Sequence, residues 1–576
     1  MQINKNSANN IDWPGTREYV YNIQKDIYTA SKHQNFGLVH NIQQTLLDSI
    51  QAKRLAVKRV CKDSTGKNTA GIDNVKSLTP GQRLKLAESL KLDDKASPVR
   101  RVWIPKPGTT DKRPLGIPTI IDRAKQALAL IALEPEWEAQ FEPHSYGFRP
   151  GRSCHDAIKY IKTALLHSQK YIYDADIEKC FDRISHTYLL SKLSQPIGSL
   201  IHTQVNAWLK CGILETGTPF VPSEIGTPQG GVISPLLANI ALHGLEYNIK
   251  TSLQGLPGGK KIIDQTKVIR YADDFIIMSP NKQIHDRAIQ ATEIFLEKIG
   301  LNIKAAKTRN IHSLDKTLCP DGDNSFKFLG YLIAQRKIGK RSTQLTGGGR
   351  KISWKVVILP HPEKERIHFD KIRSVIRKCT KPAEVIRQLN PVIRGWANYF
   401  RRSDAATYKK VAWYNKRLYI IVSNWQKRQY HTRKKLATLW KTVGNNTWRF
   451  YSKSKVKSGK KLVEKEFVLL NYGCVSWSVN TYTAIKADSS PYDGNDTYWV
   501  QRTNSASRKA ETLIRKQKGI CPLCNRKLSA LDLVQVDHKT PRALGGTEES
   551  ANLQAVHKEC HAIKTKVDRK NMGELR

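Results

Sequence analysis

The stretch Tyr271-Ala272-Asp273-Asp274 lies between two apolar runs, Val268-Ile269 and Phe275-Ile276-Ile277-Met278. The β-branched and aromatic residues on both sides predict two strands joined by a tight turn. Asp tolerates turn geometry, so an ordinary hairpin with an acidic tip also explains these residues. The tetrapeptide alone therefore leaves a structural and a functional interpretation open.

A second acidic strand is predicted upstream, over the stretch from Tyr171 to Ile177. Alternation puts Asp174 and Asp176 on one face of that strand. Nucleotidyl transfer uses carboxylates from separate strands to hold two divalent ions about 3.5–4 Å apart. We therefore take Asp176, Asp273 and Asp274, called the carboxylate triad below, as the candidate catalytic residues and metal ligands.

Three motifs follow one another in the sequence: Asp176-x4-Phe181-Asp182, Gly226 to Pro235, and Tyr271 to Asp274. Together they resemble the palm motifs of reverse transcriptases, and most closely those of the reverse transcriptase/maturases encoded by group II introns. Three ordered motifs are far more specific than any one of them. The resemblance implies that the carboxylate triad binds magnesium (Mg²⁺) and that the incoming nucleotides are dNTPs.

The resemblance also implies roles for residues beside the triad. Phe181 is similar to the aromatic that blocks a ribose 2′ hydroxyl and so selects deoxynucleotides, although a core Phe is the alternative. Gln229 and Gly230 belong to a loop that contacts the incoming nucleotide in that family. Adjacent glycines let the backbone approach a ligand closely, but they also mark many ordinary turns.

Residues 100–118 predict a strand, a turn and a second strand, which would form a hairpin in the fingers. Lys106 and Arg113 lie on opposite sides of that turn, where both could contact a triphosphate. The alternative is two exposed hairpin cations. Lys307 matches a later palm block of the family and would lie near the departing pyrophosphate, with a plain surface lysine as the alternative.

The net charge of the chain is +46, from 96 Lys and Arg against 50 Asp and Glu among 576 residues. Such an excess is relieved by a polyanionic partner. The longest apolar run, Ala127 to Leu133, is too short to span a bilayer, and Met1 to Asn10 lacks the apolar core of a signal peptide. We expect a soluble, nucleic-acid-associated protein with no membrane partner, cytoplasmic in a bacterium, with an organellar origin left open.

From Pro362 to about Lys461 the sequence is basic and predicts helices. Within it, Leu389 to Phe400 resembles the maturase thumb, called domain X. Residues 433–461 hold ten basic side chains and no acidic one, which predicts tight, salt-sensitive RNA binding. The basic helices predicted before residue 65 are a second candidate RNA contact, or an ordinary solvated face. The resemblance implies that the RNA partner is the parent group II intron.

Near the C-terminus, Cys521-x2-Cys524 and His557-x2-Cys560 form two pairs about thirty residues apart. This spacing fits a tetrahedral structural zinc (Zn²⁺), which a segment with a small core needs in order to fold. The other cysteines are scattered, as in a reducing compartment. His557 stands where the related endonucleases usually have Cys.

Between these pairs, the pattern of Asp537, His538, Asn552 and His561 resembles HNH nucleases. The resemblance implies that His538 deprotonates water, that Asp537 and His561 hold a single divalent ion, and that Asn552 orients the loop. Double-stranded DNA would be the substrate. The alternative is a zinc ribbon that only binds DNA.

These patterns predict an α+β fold, with right-hand polymerase fingers and palm, an α-helical thumb, and a small C-terminal ββα-metal HNH domain. The expected domains are a basic helical extension with the start of the fingers (1–99), fingers and palm (100–345), thumb and domain X (346–465), a DNA-binding segment and linker (466–512) and the HNH endonuclease (513–576).

The expected function is that of a multifunctional group II intron protein: RNA-directed DNA polymerase, splicing maturase and site-specific DNA endonuclease in intron mobility, by target-primed reverse transcription. A reverse transcriptase of the retron or defence type is one alternative, against which the domain X and HNH patterns argue. A non-enzymatic splicing factor with decayed sites is another, against which the intact acidic and HNH residues argue.

Overall fold

The computed structural model describes most of the chain, in several ranges. These are residues 11–105, 108, 110–193, 196, 199–215, 220–339, 344–345, 349, 351–430, 439–443, 447–458, 461–480, 482–503 and 508–574.

The chain begins with helices, as the sequence predicted. Asp12 caps the first of them by accepting a 3.0 Å hydrogen bond from the Gly15 N–H, and Thr79 and Gln82 form a capping box at the fourth. The apolar faces of the first three helices pack on the long helix of the fingers, and two of their basic residues, Arg17 and Lys58, are largely buried in ion pairs. The four helices are α1 (Trp13–Lys32), α2 (Phe36–Asp48), α3 (Ile50–Lys58) and α4 (Pro80–Ser89).

The fingers contain the predicted hairpin, formed by β1 (Val99–Pro105) and β2 (Lys112–Ile117) in antiparallel register. The short strand β4 (Ile213–Leu214) adds to β1 in parallel. Helix α5 (Ile120–Gln140) follows and is buried along most of its length. Among the described residues, neither α5 nor any other helix is long and apolar enough to span a membrane.

The palm is a four-stranded antiparallel sheet in the order β5-β6-β3-β7, with helices around it. Its strands are β3 (Tyr171–Asp176), β5 (Lys267–Tyr271), β6 (Asp274–Ser279) and β7 (Arg309–His312). The surrounding helices are α6 (Cys154–His167), α7 (Cys180–Arg183), α8 (His186–Lys192), α9 (Leu200–Lys210), α10 (Ser234–Ala241), α11 (Leu245–Ser252), α12 (Gly259–Gln265) and α13 (Lys282–Ile299).

A second small sheet joins the palm to the thumb. It consists of β8 (Phe326–Phe328), β9 (Tyr331–Lys337) and β12 (Trp354–Pro360). The two-residue strands β10 (Gln344–Leu345) and β11 (Lys351–Ile352) lie between β9 and β12 in the sequence and pair with each other. Three thumb helices follow and share one apolar core. They are α14 (Pro362–Arg377), α15 (Pro382–Phe400) and α16 (Lys410–Gln429).

The prediction that the helical region reaches about Lys461 is wrong, because the described part after α16 is a sheet. Strands β13 (Trp440–Val443), β14 (Thr447–Ser458) and β15 (Lys461–Val468) pair antiparallel. Aromatic and β-branched residues suit strands, and lysines between them masked that preference in the sequence. The sheet also runs past the thumb boundary that we expected at residue 465.

The segment before the nuclease has the composition of a linker, yet it packs against the polymerase. Trp499 and Tyr492 are almost fully buried, and the Tyr21 hydroxyl donates to the Pro491 carbonyl at 2.7 Å. The Arg502 guanidinium pairs with the buried Asp156 carboxylate of α6. Aromatic side chains thus anchor a stretch whose Ser, Pro, Gly and Asp content suggests a free connection. This segment ends in helix α17 (Asp496–Thr503).

The tail has its own small core. Strands β16 (Val534–His538) and β17 (Leu553–His557) form an antiparallel pair, flanked by α18 (Arg508–Lys516) and α19 (Lys558–Glu574). This is the ββα arrangement that the sequence predicted.

Candidate polymerase and nuclease sites

The acidic hairpin forms as predicted and faces the second acidic strand. Asp274, the first residue of β6, lies directly opposite Asp176, the last residue of β3. Ala272 and Asp273 make the turn, and Ala272 has a φ of 59°. The Asp273 carbonyl accepts a 3.3 Å hydrogen bond from the N–H of Ile177, so two separate strands bring the triad to one edge of the sheet.

A polar network lies beneath this turn. The buried Arg270 side chain donates from Nη1 to Asn239 Oδ1 at 2.9 Å and to the Ala272 carbonyl at 3.4 Å. Asn239 Nδ2 in turn donates to the Gly147 carbonyl at 2.9 Å. A Cβ on Gly147 would lie 2.3 Å from the Ala272 nitrogen, so only glycine allows this approach. The network fixes the backbone that carries Asp273.

The carboxylates at this edge repel one another in a buried setting. Burial, followed by the charges of neighbouring carboxylates, raises the pKa of Asp274 and of Asp174 to about 7. Burial also raises the pKa of Asp273. The Lys307 ammonium donates to Asp176 Oδ2 at 2.5 Å, and this bond raises the pKa of Lys307. A divalent cation would relieve the same repulsion.

The triad opens onto a cleft of about 1620 Å³ between fingers, palm and thumb. Its walls are strongly basic, which suits a polyanion that must approach the carboxylates. Arg113 lies on the fingers side of this cleft. Lys106 lies outside the described residues. The cations that line the cleft are Arg101, Lys112, Arg113, Arg183, Lys179, Lys304, Lys307, Arg309, Lys327, Lys364 and Lys371.

Gln229 lines the cleft, because its loop packs on strand β2; Gly230, the next residue of this loop, is not among the described residues that line it. The Gln229 carbonyl accepts a 2.6 Å hydrogen bond from the Gly116 N–H. Gly230 has a φ of +116°, and a Cβ there would lie 2.7 Å from the Gly116 oxygen. Gln229 Oε1 is buried with no hydrogen-bond partner among the described residues. An acceptor without a partner is a position that a ligand donor can fill.

Phe181 lies at the start of the short helix α7 and is partly buried against the palm core. Its ring meets Phe148 edge-on, with centroids 6.3 Å apart. It is not among the described residues that line the cleft. Asp182, its neighbour in the chain, and Thr227, which donates to its carbonyl, do line the cleft.

The four predicted metal ligands of the tail converge. One ligand atom each from Cys521, Cys524, His557 and Cys560 lies within 4.8 Å of the others. His557 Nδ1 is 3.4 Å from the Cys524 sulfur and 3.8 Å from the Cys560 sulfur. Three thiols and one imidazole are a donor set that suits a tetrahedral metal.

The HNH residues gather around the β16–β17 pair. Asp537 Oδ1 lies 3.4 Å from His561 Nε2, and Gln554 donates to the other Asp537 oxygen at 2.9 Å. Asn552 Oδ1 accepts from the Thr540 N–H at 2.9 Å, and its Nδ2 donates to the carbonyls of Thr540 and Thr547 at 3.1 and 2.9 Å. Asn552 thereby holds the loop between β16 and β17 in one conformation.

His538 is the last residue of β16, where the loop begins. Its Nε2 is 3.1 Å from Glu548 Oε1 and 3.2 Å from the Arg542 Nε, and Lys564 donates to its carbonyl at 2.8 Å. Both ring contacts are made by Nε2, and Nδ1 of His538 has no hydrogen-bond partner among the described residues.

Sequence reasoning gave no role to several residues that the structure places at these sites. Asp174 lines the cleft, as its shared face with Asp176 could have indicated. Gln554 holds Asp537 because it is its partner across the strand pair. Glu548 lies in the loop between β16 and β17, and only the conformation of that loop brings it to His538. The sequence offers no signal for this contact.

Four family models match the chain in the order of the domains described above. The matches are reverse transcriptase (RNA-dependent DNA polymerase) at residues 104–333, the N-terminal domain of reverse transcriptase at 9–90, the group II intron maturase-specific domain at 366–442 and HNH endonuclease at 521–566.

Individual proteins are similar to large parts of this chain. It is 29% identical over 470 residues to the group II intron-encoded protein LtrA of Lactococcus lactis subsp. cremoris, covering 69% of this chain and 72% of LtrA. It is 31% identical to protein YkfC of Escherichia coli (strain K12), covering 51% of this chain and 84% of YkfC. A telomerase structure from Candida albicans matches with a TM-score of 0.34 and 13% identity, over 58% of this chain and 59% of that one. The chain belongs to the group II intron-encoded reverse transcriptase/maturases that carry a C-terminal HNH endonuclease domain.

Proposed function

We propose that the carboxylate triad is the polymerase active site and copies intron RNA into DNA from dNTPs. The observation that carries this proposal is the pairing of Asp176 with Asp274 across two strands, at the floor of a basic cleft. When bound, two Mg²⁺ ions would activate the attacking 3′ hydroxyl and stabilise the leaving pyrophosphate.

The chain's own residues would then position the substrates. Arg113 and Lys307 would contact the triphosphate from opposite sides of the cleft, and Lys106 would assist from the fingers hairpin. Gln229 would accept a hydrogen bond from the nucleotide at its unpartnered oxygen. Lys307, released from Asp176 by the metal ions, would be free to neutralise the pyrophosphate.

We further propose that the tail cuts one strand of a double-stranded DNA target. His538 would take the proton from water, and Asp537 and His561 would hold one divalent ion beside it. Asn552 would keep the loop in place, and Zn²⁺ on Cys521, Cys524, His557 and Cys560 would hold the fold. The proximity of Asp537, His538 and His561 on one strand pair and its helix supports this assignment.

In the proposed sequence of events, the protein binds its parent intron RNA, assists splicing and enters the DNA target as a ribonucleoprotein. The tail then cuts the second strand, and the polymerase extends the new 3′ end. The test is a reaction with intron RNA, labelled target duplex and dNTPs. Cleavage at one position and cDNA that starts at that position support the proposal, whereas cDNA that starts elsewhere contradicts it.

We expect Phe181→Val to admit ribonucleotides, because the smaller side chain opens space beside the sugar. The ratio of ribonucleotide to deoxynucleotide incorporation should rise on the order of tenfold to a hundredfold, as for a pocket that stops rejecting one hydroxyl. Single-nucleotide primer extension measures both rates in the same enzyme. An unchanged ratio would assign the Phe181 ring to the palm core alone.

We expect neutralisation of the β14 lysines to weaken RNA binding and reduce its salt dependence. Lys453 lies 3.8 Å from Glu464 and 3.4 Å from Glu466, so part of its charge is already paired. Lys455 lies opposite Glu464 in the strand register. The variant Lys453→Gln/Lys455→Gln should flatten the plot of log K against log salt by about 0.7–0.9 for each phosphate that the protein no longer neutralises.

The matched control is Glu464→Gln/Glu466→Gln, which frees the same lysines. It should strengthen RNA binding at low salt. If neither pair of substitutions changes the slope, the hairpin is only a solvated face. Lys457 and Lys461, which belong to the same basic tract, have side chains outside the described residues, and Lys460 lies outside them altogether.

A further inference from the structure

We infer that helix α1 completes the metal site of the tail, through a connection from Arg17 to Asp532 to the metal-ligand candidate His557. The inference rests on the metal site proposed above and extends it to the far end of the chain. Arg17 and Asp532 are 515 residues apart in the sequence, yet the Arg17 Nε donates to Asp532 Oδ1 at 2.7 Å.

The two nitrogens of His557 face different partners. Its Nδ1 faces the Cys524 and Cys560 sulfurs, so this atom is the one placed to hold a metal. Its Nε2–H must then find an acceptor, because the residue is only 1% exposed. Asp532 Oδ2 at 3.4 Å and the Lys527 carbonyl at 3.2 Å provide it.

The charge of Asp532 is buried beside the metal-ligand candidates. Its side chain is only 4% exposed, and a buried carboxylate is costly unless it is paired. The N–H and hydroxyl of Ser529 both donate to Oδ2 at 2.7 Å. The only Lys or Arg in contact with it among the described residues is Arg17 of α1.

Arg17 is held in position by a second carboxylate of the tail. The other side of its guanidinium pairs with Glu559 at 2.9 Å. Glu559 also accepts from the Lys58 ammonium at 2.6 Å, and it precedes the metal-ligand candidate Cys560. Arg17 therefore bridges both halves of the metal site and orients Asp532 toward the imidazole.

The histidine at position 557 is the reason for the connection between Arg17 and Asp532. A cysteine thiolate at position 557 would have no donor on its far side and would need no carboxylate. The histidine brings an N–H, for which the Asp532 carboxylate and the Lys527 carbonyl are the acceptors. The buried charge of Asp532 is in turn paired by Arg17. Hydrogen bonds to the outer nitrogen of a metal-bound imidazole typically change metal affinity by about 10–100-fold. Metal retention and docking of the tail on α1 are thus one linked equilibrium.

The test is release of zinc from the full chain to a chelator, followed by a colorimetric indicator. Arg17→Ala should lose the metal about 10–100-fold more readily than the unaltered chain. Arg526→Ala is the matched control. It removes another arginine from the same interface, which pairs with Glu18 at 2.9 Å and Asp12 at 2.8 Å and does not touch Asp532. This control should retain zinc normally, and primer extension confirms that the polymerase part of each variant, including the face of α1, has folded.

Two further variants test whether Arg17 acts through Asp532 on the imidazole N–H of His557. In a His557→Cys background the additional effect of Arg17→Ala should fall to that of Arg526→Ala, since no imidazole N–H remains to be held. Asp532→Asn should behave like Arg17→Ala, and it replaces Arg17→Ala if that variant does not fold. Equal zinc release from the Arg17 and Arg526 variants overturns the inference while leaving the metal site intact. A full chain that binds no zinc overturns the metal site and the inference with it.

Discussion

Asp273→Ala should abolish cDNA synthesis, and Asp176→Ala should do the same, while intron-RNA binding and splicing persist. Metal ions stabilise the transition-state charge by several kcal/mol, and each 1.36 kcal/mol is a factor of ten in rate. We therefore expect a fall of about a thousandfold or more in primer extension on an RNA template. The proposed RNA-binding surface of the thumb does not include the triad, so splicing assays on the same preparation should be unchanged.

Asp174→Asn is the matched control for this experiment. Asp174 lies two residues before Asp176 on the same face and also lines the cleft, but it lies opposite Ile276 rather than the acidic turn. Primer extension should fall much less in the Asp174→Asn variant than in the Asp273→Ala variant. A defect as large as that of Asp273→Ala would add Asp174 to the ligand set, and a splicing defect in folded protein would refute the separation of roles.

Local patterns in the sequence were enough to predict the features built from neighbouring residues. The alternation around Asp273 predicted its hairpin, and the spacing of the pairs Cys521/Cys524 and His557/Cys560 predicted the four-ligand cluster. In the hairpin and within each pair, the interactions that determine the local structure join residues close together in the sequence, so the sequence pattern reflects them directly. The order of the domains followed from motifs in the same way.

Features that depend on distant contacts were not predictable from such patterns. Strands β14 and β15 are rich in lysine, and only their pairing shows that Lys453 lies 3.4 Å from Glu466. The docking of the tail on α1 depends on Arg17 meeting Asp532, and a single arginine among many basic residues carries no signal of its partner. The network under the catalytic turn likewise depends on Arg270 being buried beside Asn239.

His538→Ala should stop second-strand cleavage and leave extension of an annealed primer intact. A neutral imidazole is suited to accept a proton from water near neutral pH, and removal of a general base typically costs about 10²–10⁴-fold. His538 lies in the tail, whose core is separate from those of the palm and thumb. Cleavage of a duplex labelled on both strands measures the loss, and normal cutting of the second strand would defeat the HNH assignment.

Cys521→Ser should differ in kind from His538→Ala, because it removes a ligand on which the fold of the tail depends. Cys521 is fully buried in the core of the tail, so loss of the metal there should unfold β16, β17 and α19 together. Limited proteolysis should then cut the tail of the Cys521 variant and spare that of the His538 variant, with primer extension retained in both. If the Cys521 variant resists protease and cuts DNA normally, the cluster is not a structural metal site.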